Sequence, residues 1–498
     1  MKIVDSYLSL EKIFSRIKLL EESIAVLHWD WAVKMPEGGA TRRAQQISEI
    51  EVLVHELLCD SNTSEFLDEA GNCDLLDWQR SNLKLMGRRI SYAKVLPGSL
   101  VRELSELTAT CEISWRKARE EERFKIFAES FKPVVDKVRE KASILSSAKK
   151  CDPYDALMDQ FDPGGNQKDI DLLFDELKSF LPDLLSAVRE RQKKKSYDSI
   201  KLQLDEGSQY KLAVKIMEDM GFDFSHGRLD TSHHPFCGGV SDDVRITTRF
   251  NKDDLMQGLM AVVHETGHAI YERNLPLSWK NQPIGDACGM AVHESQSLLF
   301  EMQFCRSMKF FEYLEKHLCG IFGAEEIKRS GGSVALYNAS TEVKPGLIRV
   351  DADEVTYPFH IFLRYDIEKK LMAGSLEVDD LPSAWNEHMY HWLDIVPKNP
   401  RDGVMQDIHW ATGSFGYFPS YTMGAILAAQ ICESIKRDIP TFNECLASID
   451  FEPIIDWLKE HVHSHGSNYE RSKLIEMATG APIQVDAFRR HLESRYLT

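Results

Sequence analysis

Apolar residues recur at helical spacing along most of this 498-residue chain, and that period limits the fold more than any single motif. Near the start, Leu10, Ile13, Phe14, Ile17, Leu20, Ile24 and Leu27 make one stripe, which runs into His28-Trp29-Asp30-Trp31 and breaks at Met35-Pro36-Glu37-Gly38-Gly39. A second helix follows through Ile47, Ile50, Val54 and Leu57. Residues 74–150 repeat the theme, and helix is predicted again over 167–192, 205–220 and from 354 to the end. The breaks fall at Phe161-Asp162-Pro163-Gly164-Gly165, Val396-Pro397-Lys398-Asn399-Pro400 and Ile439-Pro440. Stripes of this kind are core faces, and the run Lys193-Lys194-Lys195 reads as a solvated helix end. Only Asp243–Phe250 alternates with β-branched residues, so it is the best strand; 345–350 is a weaker one, and 222–242 has loop texture. No linker or repeat divides the chain. The fold predicted is mainly α: one large helical domain over 1–498 with a small β-sheet, and the helices of 1–160 are candidates for a subdomain covering a cleft.

One helix carries chemistry. Asn251, Asp253 and Asp254 suit an N-terminus, and apolar positions 255, 256, 259, 260, 262, 263 and 270 keep helical phase, so a helix is predicted over about 252–273. Within it lies His264-Glu265-Thr266-Gly267-His268. Residues four apart share a helix face, so His264 and His268 can hold one metal ion, and Glu265 can reach a water beside it. Alone, the pattern is short enough to arise by chance, and two core histidines are the bland alternative. A catalytic zinc needs a third protein ligand. Twenty-six residues past His268, Glu294 lies on another helical stretch with Met290, Leu298, Leu299 and Phe304. Pro276 and Pro283 mark a loop between the two helices, which can therefore pack antiparallel with Glu294 facing the histidines. His293 competes for that role.

Charge and composition remove other classes. A net charge of −18 gives no basic face for nucleic acid and no attraction to anionic membranes. No apolar run reaches 18 residues, and the first residues show no signal-peptide h-region. The ten cysteines are scattered without a CxxC pair, as expected of reduced thiols in a cytoplasmic protein.

The motifs together resemble the carboxypeptidase Taq family of metallocarboxypeptidases. The resemblance rests on His264-Glu265-Thr266-Gly267-His268 and His293-Glu294-Ser295-Gln296, on His234-Pro235-Phe236 and Asp243-Val244-Arg245-Ile246-Thr247, and on Ile348-Arg349-Val350-Asp351-Ala352-Asp353. Two later segments also match, Gly403-Val404-Met405-Gln406-Asp407-Ile408-His409-Trp410 and Phe415-Gly416-Tyr417-Phe418-Pro419-Ser420-Tyr421. One departure is Leu298-Leu299-Phe300-Glu301-Met302, where Arg-Leu-Trp-Glu-Asn is expected. The resemblance favours Glu294 as third ligand. It implies a fold similar to neurolysin and angiotensin-converting enzyme with a deep closed-ended cleft, Zn2+ (or Co2+) in each subunit, a homodimer, and release of C-terminal amino acids from peptides with broad specificity, proline being resisted.

An exopeptidase also needs a fixed cation for the terminal carboxylate, and the arginine fork suits it. Arg349 is the first candidate and Arg245 the second; the alternative for either is a structural ion pair with Asp351, Asp353 or Asp243. His234 and Tyr417 complete the candidate substrate-binding group. For oxyanion stabilisation the candidates are Tyr421 with His409 beside it, or Tyr417, and Asp407 is expected to orient His409. His461, His463 and His465 are read as surface or packing histidines of a C-terminal helix. An endo-oligopeptidase or dipeptidyl carboxypeptidase on the same fold is the alternative enzyme.

Overall fold

The computed structural model describes residues 2–193, 202–232 and 234–498. Helices dominate, as the apolar period requires. The first four, Lys2–Val33, Ala40–Cys59, Ser61–Gly71 and Asp77–Val95, bury a core of their own around Tyr7, Phe14, Val54, Met86 and Ile90. The next pair, Gly98–Glu120 and Phe124–Lys149, belongs instead to the main core shared with the rest of the chain. Lys193 is exposed, as expected of a solvated helix end; Lys194 and Lys195 lie outside the described residues.

The sheet is larger than expected. Strands β1 (Gly227–Thr231), β2 (Phe236–Val240) and β3 (Asp243–Thr248) stand in the order β1-β3-β2, β1 parallel and β2 antiparallel to β3. Thus about half of the segment with loop texture is strand. Its glycines and polar residues hide the period, and the strands exist only because β3 offers both edges. Gly227 shows how close that pairing is: a Cβ there would lie 2.6 Å from the Val244 carbonyl oxygen. The weak strand at 345–350 is not formed. Arg349–Asp351 is a 3-10 turn, and the chain there is pinned by side chains, Gln406 accepting from the Arg349 N–H and Asp353 from the Lys344 N–H, rather than by a ladder.

The motif helix runs Leu255–Asn274, and Asp254 caps it by accepting from the Gln257 N–H at 3.1 Å. Glu294 lies on Gly289–Leu298, which passes into a π-helical turn, Leu299–Phe304. His264 meets Glu301, Gly267 meets Ser297 and His268 meets His293, so the two helices run antiparallel, as expected. At the C-terminal end, only His461 lies in the helix Glu452–His461; His463 and His465 form a 3-10 turn. His463 is buried and bonded to Gln296 at 2.9 Å, and His461 stacks on Trp457, so both pack rather than bind. None of the ten cysteines forms a disulfide, and among the described residues no helix is long and apolar enough to cross a membrane.

Candidate active site

His264, His268 and Glu294 are brought together, with donor atoms from each within 4.8 Å of one another. The Nε2 of His264 is 3.9 Å from Glu294 Oε1, and that of His268 is 3.6 Å from Oε2. Tetrahedral ligands about 2.1 Å from a zinc ion stand about 3.4 Å apart, so two imidazoles and one carboxylate at these spacings fit such an ion. Glycine makes the approach possible. A Cβ at Gly267 would lie 2.7 Å from Ser297 Cα, and one at Gly424, on the helix Pro419–Asp438, would lie 2.6 Å from Glu294 Cγ. Three helices therefore converge on Glu294 with no side chain between them.

Both imidazoles are oriented through their other nitrogen. His264 Nδ1 is 2.8 Å from Glu301, which also accepts from Arg306 at 2.9 Å. His268 Nδ1 is 2.7 Å from His293, whose far nitrogen meets Glu272 at 2.8 Å. His293 thus stands behind His268, and the group that could hold a metal ion is His264, His268 and Glu294. Such partners fix ring orientation, and losing one typically costs about 10–100-fold in metal affinity or activity. Glu301 and Glu272 were missed from the sequence, although a helical signal existed: Glu301 is seven residues past Glu294, and Glu272 four past His268. Burial, with Glu294 and Glu301 adding to it, raises the Glu265 carboxyl to about 7, so its proton affinity suits transfer near neutrality.

Arg349 is buried, and its guanidinium meets Asp407 at 2.9 Å and Tyr357 Oη at 2.9 Å, with Cζ 4.5 Å from the centre of the Tyr421 ring. The ion-pair partner is therefore Asp407, not the aspartates nearer in sequence. Asp407 also accepts from Arg364 Nε at 2.8 Å. Burial alone would raise the Asp407 carboxyl, but the two arginines outweigh it and hold it well below the usual range. One carboxylate between two guanidinium groups leaves a net positive charge in a water-poor place.

The expectation that Asp407 orients His409 is not met, because both Asp407 oxygens are taken by arginine. His409 Nε2 instead lies 3.0 Å from Tyr421 Oη, while its buried Nδ1 has no partner among the described residues. Burial, then Arg349 and Arg364, lowers His409 to about 3 against the pull of Asp407, so the ring is neutral at working pH. Tyr417 joins this group, its ring 5.3 Å from His409 and 5.2 Å from Tyr421.

Arg245 stands apart. It is paired with Asp243 at 3.0 Å and lies 4.3 Å over Trp29, which Arg228 on β1 also approaches. This arginine ties the first helix to the sheet, the structural alternative weighed for it. His234 is exposed; its ring is 6.4 Å from Trp115, and Trp115 donates to the Met405 carbonyl at 3.0 Å, so it flanks the Gln406–Asp407 segment.

Comparison with known proteins agrees with this geometry. Residues 9–496 match the family described as carboxypeptidase Taq (M32) metallopeptidase. The chain is 33% identical to carboxypeptidase 1 of Bacillus subtilis over 97% of its own length and 96% of that protein, and 34% identical to thermostable carboxypeptidase 1 of Thermus thermophilus over 95% and 94%. Among solved structures, Trypanosoma cruzi metallocarboxypeptidase 1 superposes with a TM-score of 0.94 at 35% identity, covering 99% of this chain and 100% of that one. The chain belongs to the carboxypeptidase Taq (M32) family of metallopeptidases and is a peptide hydrolase of the metallocarboxypeptidase type.

Proposed function

We propose that this protein removes single amino acids from the free C-terminus of peptides, using Zn2+ (or Co2+) held by His264, His268 and Glu294. The observation that carries the reading is the buried Arg349, whose Asp407 partner is shared with Arg364 and whose charge lies against Tyr421 and Tyr357. The metal would supply a Lewis acid that polarises the scissile carbonyl and lowers the pKa of a water. Arg349 binds the terminal carboxylate and fixes the last peptide bond in place. Glu265 takes the proton of the attacking water and returns it to the amine nitrogen as the C–N bond breaks. The neutral His409–Tyr421 pair faces the developing oxyanion, with His409 Nε2–H donating to Tyr421 Oη so that the single tyrosine O–H is free for the oxyanion; Tyr417 is the alternative donor. His234 contacts the substrate from the Trp115 side.

The wider reading follows the family resemblance. The specificity is broad, with proline resisted at the end. The protein is a cytoplasmic homodimer, and the single domain encloses a deep, closed-ended cleft of the neurolysin and angiotensin-converting enzyme type, covered by the helices of 1–160. One experiment tests the core claim: a peptide with a free C-terminus and its amidated twin are incubated with the zinc-loaded protein, and products are read by mass spectrometry. Stepwise loss of single residues from the free peptide alone is expected. Equal cleavage of both would replace the reading with an endo-oligopeptidase, and loss of pairs with a dipeptidyl carboxypeptidase.

A further inference from the structure

The loop 406–416 carries His409 and leads directly into Tyr417, yet it contains no regular helix or strand. One neighbouring helix, Tyr357–Met372, holds it at both ends. Arg364 reaches the start, donating to Gln406 Oε1 at 2.8 Å and to Asp407. Four residues on, and so on the same helix face, Glu368 reaches the rest. Its Oε1 accepts from Trp410 Nε1 at 2.8 Å, and its Oε2 accepts from the Gly416 N–H at 2.8 Å and from Tyr154 Oη at 2.7 Å. Both side chains are fully buried.

We infer that Glu368 is a positioning residue for His409, gripping the residue after it and the far end of the loop that presents it. A loop without a ladder keeps its backbone freedom unless side chains remove it. Glu368 removes that freedom on both sides of the segment. Gly416 completes the lock: its φ is +88°, and a Cβ there would lie 2.7 Å from Met158 N, so the chain is pressed against the helix Pro153–Phe161 at that point. Burial raises the Glu368 carboxyl to about 7, against hydrogen bonds from Tyr154, Gly416 and Trp410 and the charge of Arg364. Three donors converge on its two oxygens, and only an acceptor on both serves all three. Glutamine would turn an N–H toward one of them.

This inference rests on the reading that His409 acts in the reaction, and the test separates the two. Glu368→Gln, His409→Ala and the double variant are loaded with zinc and assayed on a free-C-terminus peptide well below their melting temperatures. His409→Ala alone tests the reading; if its kcat matches the parent, the reading fails and this inference with it. With His409→Ala impaired, Glu368→Gln is expected to lower kcat by roughly tenfold or more with KM within about twofold, since Arg349 and its Asp407 anchor are untouched. The double variant is then expected to be no slower than His409→Ala alone, because residues acting as one unit are not additive. A purely structural Glu368 would leave kcat unchanged, or its loss would multiply with that of His409→Ala; either result overturns the inference. If Glu368→Gln does not fold, Trp410→Phe, which deletes only the donor to Oε1, is judged by the same criteria.

Discussion

Gly267 is the most exacting residue of the metal motif that is not itself a ligand. In Gly267→Ala the new Cβ would lie 2.7 Å from Ser297 Cα and 2.8 Å from the Gln296 carbonyl oxygen, both backbone atoms that no rotamer change can move. Ordinary contact begins at 3.4 Å, so the helices must part by about 0.7 Å. Metal sites tolerate distance errors of only about 0.2 Å. The ligands ride on these two helices, His264 and His268 on one and Glu294 on the other, so the opening falls on the metal. Stability changes less. Overpacking costs about 1–3 kcal/mol, and alanine returns about 1 kcal/mol over glycine in a helix interior. The expected outcome is a folded protein with a small shift in melting temperature and zinc affinity reduced by at least tenfold. Competition with a chromophoric chelator gives the affinity, and calorimetry of the metal-free protein gives the stability. Parental zinc affinity in Gly267→Ala would refute the argument that this glycine sets the ligand spacing.

Three other outcomes follow from named contacts. Glu265→Gln should bind zinc as the parent does and lose roughly 10²–10⁴-fold in kcat; rapid turnover by that variant would remove Glu265 from the proton path. Arg349→Gln should lower kcat/KM for a free-C-terminus peptide by about 2–5 kcal/mol, or roughly 30- to 4000-fold, while hydrolysis of an amidated peptide, slow already, stays as in the parent; equal losses on both peptides would show that Arg349 does not read the carboxylate. Glu354 predicts acid lability. Burial would raise its carboxyl, but Arg495 and His491 outweigh that and hold it well below the usual range. A depressed folded value means its stabilisation is full above the unfolded carboxylate pKa of about 4.3 and is lost as pH falls below that toward the folded value. Melting temperature should therefore drop below about pH 4, and Glu354→Gln should flatten that drop; an unchanged slope would assign the acid sensitivity elsewhere.

How much could be read from the chain depended on the range of the interaction. The metal helix was legible because cap, apolar period and ligand spacing all lie within some twenty residues, and the start of the helix falls three residues from its predicted position. β1 and β2 were not legible. Their residues carry no alternation, and each is a strand only by pairing with β3. The same limit applied around the site. Asp407 looked like a partner for its neighbour His409, but two arginines from other segments, 58 and 43 residues away, take its oxygens first. A charge pair outcompetes a neutral imidazole for a buried carboxylate.

The sequence by itself determined the helical architecture and the two histidines with Glu265 beside them, because these follow from period and spacing along one element. Tertiary structure alone decided which partner Asp407 takes, which carboxylates stand behind the two histidines and what holds the His409 loop. Those depend on glycines that let helices touch and on buried charges choosing partners across the fold, and neither has a signature in the order of residues.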